Sequence, residues 1–173
     1  MPSTIPSSSI VADSAEATGL KWAAPSGGSF VGVVANSDAN ITLSNNTDTV
    51  LNWNTETFDT DAFHSTVTNN SRITIPSGKG GKYRIYAKVI PNTNNTSQDY
   101  SVQLKLRKNG STIVATSFLS NAQYAATTLQ LFVLIELVAT DYLEILGTQN
   151  SGGSLGITYA NDSGEFSAEF LGA

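Results

Sequence analysis

The sequence predicts an all-β sandwich or jelly roll, and three observations carry that prediction. Ser, Thr and Asn supply 56 of the 173 residues, a composition that favours strands joined by hydroxyl- and amide-rich turns and disfavours long helices. Apolar residues recur with period two in short segments bounded by turn residues, and no segment shows a helical period. A chain of 173 residues without cysteine must hold itself together by its core, and at this length roughly 70% of the unfolded surface is buried.

Residues Met1 to about Ser29 carry Pro2, Pro6 and Pro25, a serine run and Gly27-Gly28, with few apolar groups. They are expected to form an extended arm, 1–29, ahead of a head domain spanning 30–173. The N-terminus has neither a basic n-region nor an apolar h-region, so the protein is expected to be finished in a cytoplasm. From Ser29 the period changes. Phe30, Val31, Val33 and Val34 make a first strand; Ile41 with Leu43, and Val50, Leu51 and Trp53, make short strands between Asn/Ser/Thr/Asp turns. Phe58, Phe63 and His64 form an irregular aromatic patch before a strand at Ser71 to Ile75, which Pro76 stops. Tyr83 to Ile90 alternates, with Tyr83, Ile85, Ala87 and Val89 on one face and Arg84, Tyr86, Lys88 and Ile90 on the other. Val102, Leu104 and Leu106 alternate with Gln103, Lys105 and Arg107, and Asn109-Gly110 supplies a hairpin turn into Thr112 to Leu119.

The most apolar run, Thr127 to Val138, organises the rest. Leu129, Leu131, Val133, Ile135 and Leu137 form one unbroken apolar face, and Phe132 and Leu134 put apolar bulk in the middle of the other. Both faces are therefore expected to meet something, the second a neighbouring subunit. The run falls far short of the roughly 20 residues that span a membrane, and Gln130 and Glu136 interrupt it. Strands at Tyr142 to Gly147 and Gly164 to Leu171 complete about ten, which is the pattern of a sandwich or jelly roll.

Two stretches resemble known families. Val11 to Ser29 contains A-D-S-x-x-x-x-G-L-K-W-x-x-P, which resembles a segment found in phage tail, fibre and other virion-surface proteins just before a globular head. There it often repeats to build a stalk, whereas one copy is present here. Leu20 and Trp22 are the large apolar groups in the arm's second half, and an aromatic in a polar linker docks somewhere, on a virion or back on its own head. The order G-K-Y-R-I-Y-A-K-V, V-Q-L-K-L-R-K-N-G-S-T-I, L-Q-L-F-V-L-I-E-L-V-A-T-D-Y-L-E-I and Y-A-N-D-S-G-E-F-S-A-E-F-L-G resembles the globular head of the complement first-component family, within the tumour-necrosis-factor-like jelly rolls. It covers roughly Ser29 to Ala173; Thr140-Asp141 stands where that family usually has Gly-Asp, and Ala168-Glu169 where it usually has Gly and an aromatic. The resemblance implies a ten-stranded jelly roll that trimerises about a three-fold axis, in a family of binding modules rather than enzymes.

Other chemistry has weak support. A hydrolytic triad needs His64, the only histidine, with a serine and Asp59 or Asp61, but no G-x-S-x-G elbow is present; His64 is expected to pack and hydrogen-bond. Asp59-Thr60-Asp61 is too short for a calcium loop, and Ser77 to Lys82 leads into a strand where a phosphate loop needs Ser or Thr and a helix. Asn40, Asn69 and Asn94 head glycosylation sequons in form, which the lack of a leader assigns to Asn/Thr bias. A charge of -5 and a pI near 4.6 argue against nucleic acid. Neither cofactor nor metal nor membrane is expected. Arg84, Tyr86 and Lys88 suit either a sugar- or anion-binding surface or a sheet face whose charges pair with Glu136, Glu165 and Glu169. In the suspected jelly roll the strands at Tyr83, Thr127 and Gly164 are neighbours, so Arg84, Tyr86, Lys88, Phe132, Leu134, Glu136, Glu165, Glu169 and Leu171 are the expected trimer interface.

The expected function is a trimeric bacteriophage virion-surface structural protein. Because the arm carries no long stalk, capsid cement or decoration, in the manner of a head fibre, is favoured, with Leu20 and Trp22 anchoring the arm to capsid or tail proteins. The alternative is a tail-fibre tip or receptor-binding head that recognises a host surface glycan. An enzyme acting on polysaccharide lacks a recognisable pair of acids.

Overall fold

The computed structural model describes residues 9–12, 20–23, 29–92, 100–120, 128–158 and 164–173, the first two stretches as backbone alone. In the arm, β1 (Ser9–Ala12) and β2 (Leu20–Ala23) pair antiparallel, with Ile10 opposite Trp22 and Ala12 opposite Leu20. The expected plain extended chain thus contains a two-stranded ribbon; the side chains of Leu20 and Trp22 lie outside what is described. The head follows as β3 (Gly32–Asn36), β4 (Ile41–Leu43), β5 (Thr49–Val50), β6 (Thr55–Asp59), β7 (Arg72–Thr74), β8 (Gly81–Pro91), β9 (Val102–Lys108), β10 (Thr112–Leu119), β11 (Leu129–Leu137), β12 (Tyr142–Gln149), β13 (Leu155–Thr158) and β14 (Glu165–Gly172). Ten of these answer to the strands expected from the pattern. β6 and β13 are additional.

Two antiparallel sheets face each other. One runs β11–β8–β14–β3–β6, and β13 with β4 extends it from the end of β8 at Ile90 and Pro91. The other runs β10–β9–β12, and the remaining edge of β12 is shared by β7 and β5. The strands expected to be neighbours, at Tyr83, Thr127 and Gly164, are β8, β11 and β14, and β8 lies between the other two.

Alternation explains the core. Tyr83, Ile85, Ala87 and Val89 of β8 and Leu129, Leu131 and Leu137 of β11 are buried, as are Phe166 and Ala168 of β14. They meet Leu104 and Leu106 of β9 and Leu143 and Ile145 of β12 in one apolar cluster. Trp53, read as part of a strand, lies outside the regular ladders; its backbone N–H donates to the Asn70 carbonyl at 2.9 Å, and its ring centroid lies 5.7 Å from that of Phe166. The Asn-Gly turn forms as expected, with Asn109 at φ 52° and Gly110 at φ 72°, and Ser111 N–H donates to the Lys108 carbonyl at 3.2 Å. The glycine-rich loop before β8 serves strand packing: a Cβ on Gly81 would sit 2.4 Å from the Gly172 carbonyl oxygen.

Candidate subunit interface

The outward parity of the β11–β8–β14–β3–β6 sheet collects the residues expected at an interface, and register sorts them into rows. In the central row Phe132 lies opposite Tyr86, Tyr86 opposite Ser167, Ser167 opposite Val34, and Val34 opposite Phe58. This row crosses five strands and is apolar or aromatic except at Ser167. Phe132 is 60% exposed and Leu134, two residues on, 63% exposed. Phe30 extends the patch by meeting Phe58 edge-to-face, ring centroids 5.3 Å apart, and by lying over Gly32, where a Cβ would come within 3.0 Å of its ring.

Charges flank that row in pairs. On one side Lys88 Nζ lies 3.8 Å from Glu165 Oε2; on the other Arg84 Nη1 donates to Glu169 Oε2 at 2.8 Å. Both pairs bridge β8 and β14 at directly opposed positions. Glu136 stands opposite Lys82 on β8, and Leu134 opposite Arg84. Leu171, near the end of β14, is exposed and lines a cavity of about 270 Å³ with Lys82, Tyr83, Leu134, Ile135 and Glu136. Burial, and then the nearby Glu165 carboxylate, raises the Tyr86 hydroxyl above the usual tyrosine range, so Tyr86 is a neutral aromatic at physiological pH. The nine expected residues therefore share one face. Val34, Phe58 and Phe30 join them; the common parity of Phe30, Gly32 and Val34 was the sequence signal for Phe30 and Val34, whereas Phe58 on β6 had none.

Charges paired within one subunit leave the face with little net charge, and its uncompensated feature is apolar area in water. A monomeric protein rarely keeps a contiguous patch of this kind. An apolar centre with aromatics and a polar rim has the anatomy of a protein–protein contact.

The residues considered for catalysis and metal binding have structural tasks. His64 is buried; its Nδ1 lies 2.7 Å from Glu56 Oε1 on β6 and its Nε2 3.1 Å from the carbonyl oxygen of Asn70 in the loop before β7, so each ring nitrogen faces an oxygen. The Asp59 carboxylate accepts backbone N–H bonds from Asp61, Phe63 and His64 at 3.2, 3.0 and 2.8 Å, shaping a loop in which Ala62 has φ 60°. Asp61 pairs with Lys79 at 3.0 Å; hydrogen bonds from Lys79 and then Thr60 hold its carboxyl below the usual range. Among the described residues no group of three or more His, Cys, Asp or Glu is placed to hold a metal ion, and no helix is long and apolar enough to cross a membrane.

Glu144 was missed by sequence reasoning. It is buried on β12, with Arg72 Nε donating to its carboxylate at 3.2 Å and Arg107 Nη2 at 2.8 Å, and the Arg72 guanidinium sits 4.1 Å over the Tyr142 ring. This cluster ties β7 and β9 to β12 across the second sheet's outer face.

No protein-family model matches the chain, and no curated protein does. Solved structures do. Murine APRIL, in a crystal structure at pH 8.5, is 8% identical, with a TM-score of 0.59 over 82% of this chain and 99% of that chain. Eiger TNF from S. frugiperda is 12% identical, with a TM-score of 0.53 over 83% of this chain and 93% of that chain. At such identities the likeness concerns the path of the chain alone. With its two antiparallel sheets and this strand order, the protein has the tumour-necrosis-factor-like jelly-roll fold.

Proposed function

We propose that the protein is a homotrimeric structural component of a bacteriophage virion surface, a capsid cement or decoration protein whose jelly-roll head is held to the particle by its N-terminal arm. The observation that carries the reading is the outward sheet face: an apolar row over five strands, with Phe132 and Leu134 more than half exposed, between rows of charges already paired within the subunit. Such a face is suited to another copy of itself or its neighbour in a closed ring. The three-fold ring is the arrangement that the jelly-roll resemblance implies. The virion is supported by the arm, whose A-D-S-x-x-x-x-G-L-K-W-x-x-P pattern resembles the segment preceding heads of virion-surface proteins.

Deleting residues 1–28 tests the division of labour. The head then keeps its trimer and its melting temperature while losing attachment to the particle, and Trp22→Ala in the full chain weakens attachment without changing the head. Particle binding retained by the truncated head would place the anchor elsewhere. Binding of that head to host cells or their surface polysaccharide, in competition with infection, would replace decoration by the receptor-binding reading.

A further inference from the structure

Asparagine followed by glycine is a chemically unstable pair, and the chain contains it once, at Asn109-Gly110. The backbone nitrogen of the second residue can attack the side-chain carbonyl carbon of the first, and glycine, with no Cβ, leaves that nitrogen unhindered. A bond forms between the Gly110 nitrogen and Asn109 Cγ, the bond from Cγ to Nδ2 breaks, and ammonia leaves carrying the proton given up by the Gly110 nitrogen. Water then opens the five-membered imide to aspartate or isoaspartate. The sum is one water consumed and one ammonia released, and the step needs no partner beyond water.

Asn109 and Gly110 form the exposed tip of the β9–β10 hairpin, so water reaches the pair. The Asn109 side chain is nonetheless engaged at both of its polar atoms. Oδ1 accepts the Tyr142 N–H at 2.9 Å, and Nδ2 donates to Asp141 Oδ1 at 2.8 Å. The Asn109 backbone N–H donates in turn to the Tyr142 carbonyl at 2.9 Å, which closes a ring of bonds onto the first residue of β12. Asp141 is itself fixed, with Lys108 Nζ 2.7 Å from Oδ2 and the Val138 N–H donating to the same oxygen at 2.9 Å.

Cyclisation requires the carboxamide to swing back along its own backbone until Cγ meets the Gly110 nitrogen, and that swing breaks both side-chain bonds. The leaving nitrogen must also gain a proton, whereas Asp141, held ionised by its three donors, presents an acceptor there and no proton. Reaction therefore waits for the tip to open, and the rate in the folded head is the unfolded-chain rate scaled by the fraction of time spent open. The change runs one way. Exchanging Nδ2 for oxygen sets a second carboxylate against Asp141 where a donor stood, and like charges at that distance repel. Isoaspartate also lengthens the backbone by one methylene and spoils the turn.

We infer that Asn109-Gly110 is a self-modification site of the head: a spontaneous deamidation centre latched by Asp141 and the Tyr142 backbone, which reacts when the hairpin tip opens and then keeps the tip from re-forming its bonds to the 138–141 turn. The site works in the same way whatever the head is attached to.

Full-length protein is incubated at mildly alkaline pH, folded and in urea, and the peptide carrying Asn109 is followed by mass spectrometry for the gain of one mass unit. Folded wild type is expected to react about tenfold or more slowly than the unfolded chain. Asp141→Ala, shown to be folded by circular dichroism, should react about threefold or more faster than folded wild type, because a hydrogen bond to a charged group is gone. In the wild type, hydrogen exchange of the Tyr142 amide reads the same opening, and its protection should match the slowing at Asn109 to within about threefold. Equal rates folded and unfolded would overturn the latch, as would a folded Asp141→Ala protein that reacts no faster than wild type. Should that variant not fold, the Tyr142 amide decides, and a mismatch of more than about tenfold with Asn109 would overturn the shared opening. Asn109→Asp should melt below wild type at neutral pH, with the gap narrowing in acid as one of the two carboxylates takes a proton. Equal melting temperatures at neutral pH would overturn the one-way step.

Discussion

Phe132 separates an interface from a core, because its side chain is 60% exposed in the single subunit. A phenylalanine carries roughly 200 Å² of surface, so about 120 Å² remains for a neighbour to cover. At about 25 cal/mol per Å² this contributes about 3 kcal/mol per subunit, or about 9 kcal/mol to a trimer in which three copies are covered. That corresponds to roughly six orders of magnitude in the overall association constant. Phe132→Asp removes the contribution and adds a charge that an apolar contact cannot solvate. At micromolar concentration the wild type is expected to sediment as a trimer and Phe132→Asp as a folded monomer with a sheet-rich circular dichroism spectrum. Glu136→Gln, at the margin of the same face, should leave the trimer in place. A Phe132→Asp protein that remains trimeric with an unchanged Tm would refute the interface. One that unfolds outright would refute the outward placement of the side chain, since nothing in the subunit's own core touches an exposed ring strongly enough to require it.

Three further outcomes follow from individual residues. Thr140 adopts φ 73°, where a β-branched side chain is strained, so Thr140→Gly should stabilise the fold by up to about 1 kcal/mol after glycine's extra unfolded-state freedom is subtracted; a lower Tm on thermal melting would contradict this. Asp141 is buried, which opposes its ionisation, but bonds from Lys108 at 2.7 Å, Asn109 at 2.8 Å and the Val138 N–H at 2.9 Å outweigh burial and hold its carboxyl below the usual range. Its folded pKa is depressed, so its contribution is complete above the unfolded value of about 3.9 and is lost as pH falls through the folded value; the stability gap between wild type and Asp141→Asn, measured by urea unfolding, should be constant from pH 7 to 5 and close at lower pH. Glu144→Ala leaves Arg72 and Arg107 facing each other without their shared carboxylate and should cost about 2–3 kcal/mol, below the range for fully buried pairs because both arginines are partly wet; a loss under 0.5 kcal/mol would assign the cluster to solvent-screened pairing.

What the sequence could disclose was set by the distance over which each feature is encoded. The grouping of these residues on one outward face was legible because parity is local: Phe132 and Leu134 break the polar side of β11, and Arg84, Tyr86 and Lys88 alternate with buried neighbours along β8. That these strands adjoin came from the resemblance, since β8 meets β14 across about eighty residues and no local pattern states that Ser167 stands opposite Tyr86. β6 was hidden for a different reason. In T-E-T-F-D a single apolar residue marks the strand, and a bulge between Val34 and Ala35 decides which face Phe58 joins. β13 is four residues with a glycine at its second position, and it touches β8 through only Ile157 and Thr158. Glu144 stands at an outward position of an alternating strand; its burial depends on Arg72 and Arg107, which lie far away in sequence and arrive only when β7 and β9 have both paired with β12.

The same distinction bears on why this face and not the second sheet's outer face is the candidate contact. On the second sheet the central outward rows are closed by cross-strand charges, Arg72, Glu144 and Arg107 across β7, β12 and β9, with Lys105 and Asp48 at 2.7 Å beside them, and its exposed apolar residues, Phe118 and Ile113, stand apart on the edge strand β10. Those charges are satisfied by each other and by water, and docking another protein there would strip hydration from several of them at once. On the first sheet the charges sit at the rim and the centre is aromatic, so the cost of desolvation falls on few groups while the gain falls on Phe132, Leu134, Tyr86, Val34 and Phe58. A jelly roll has two such outer faces, and here the distribution of side chains favours only one for association.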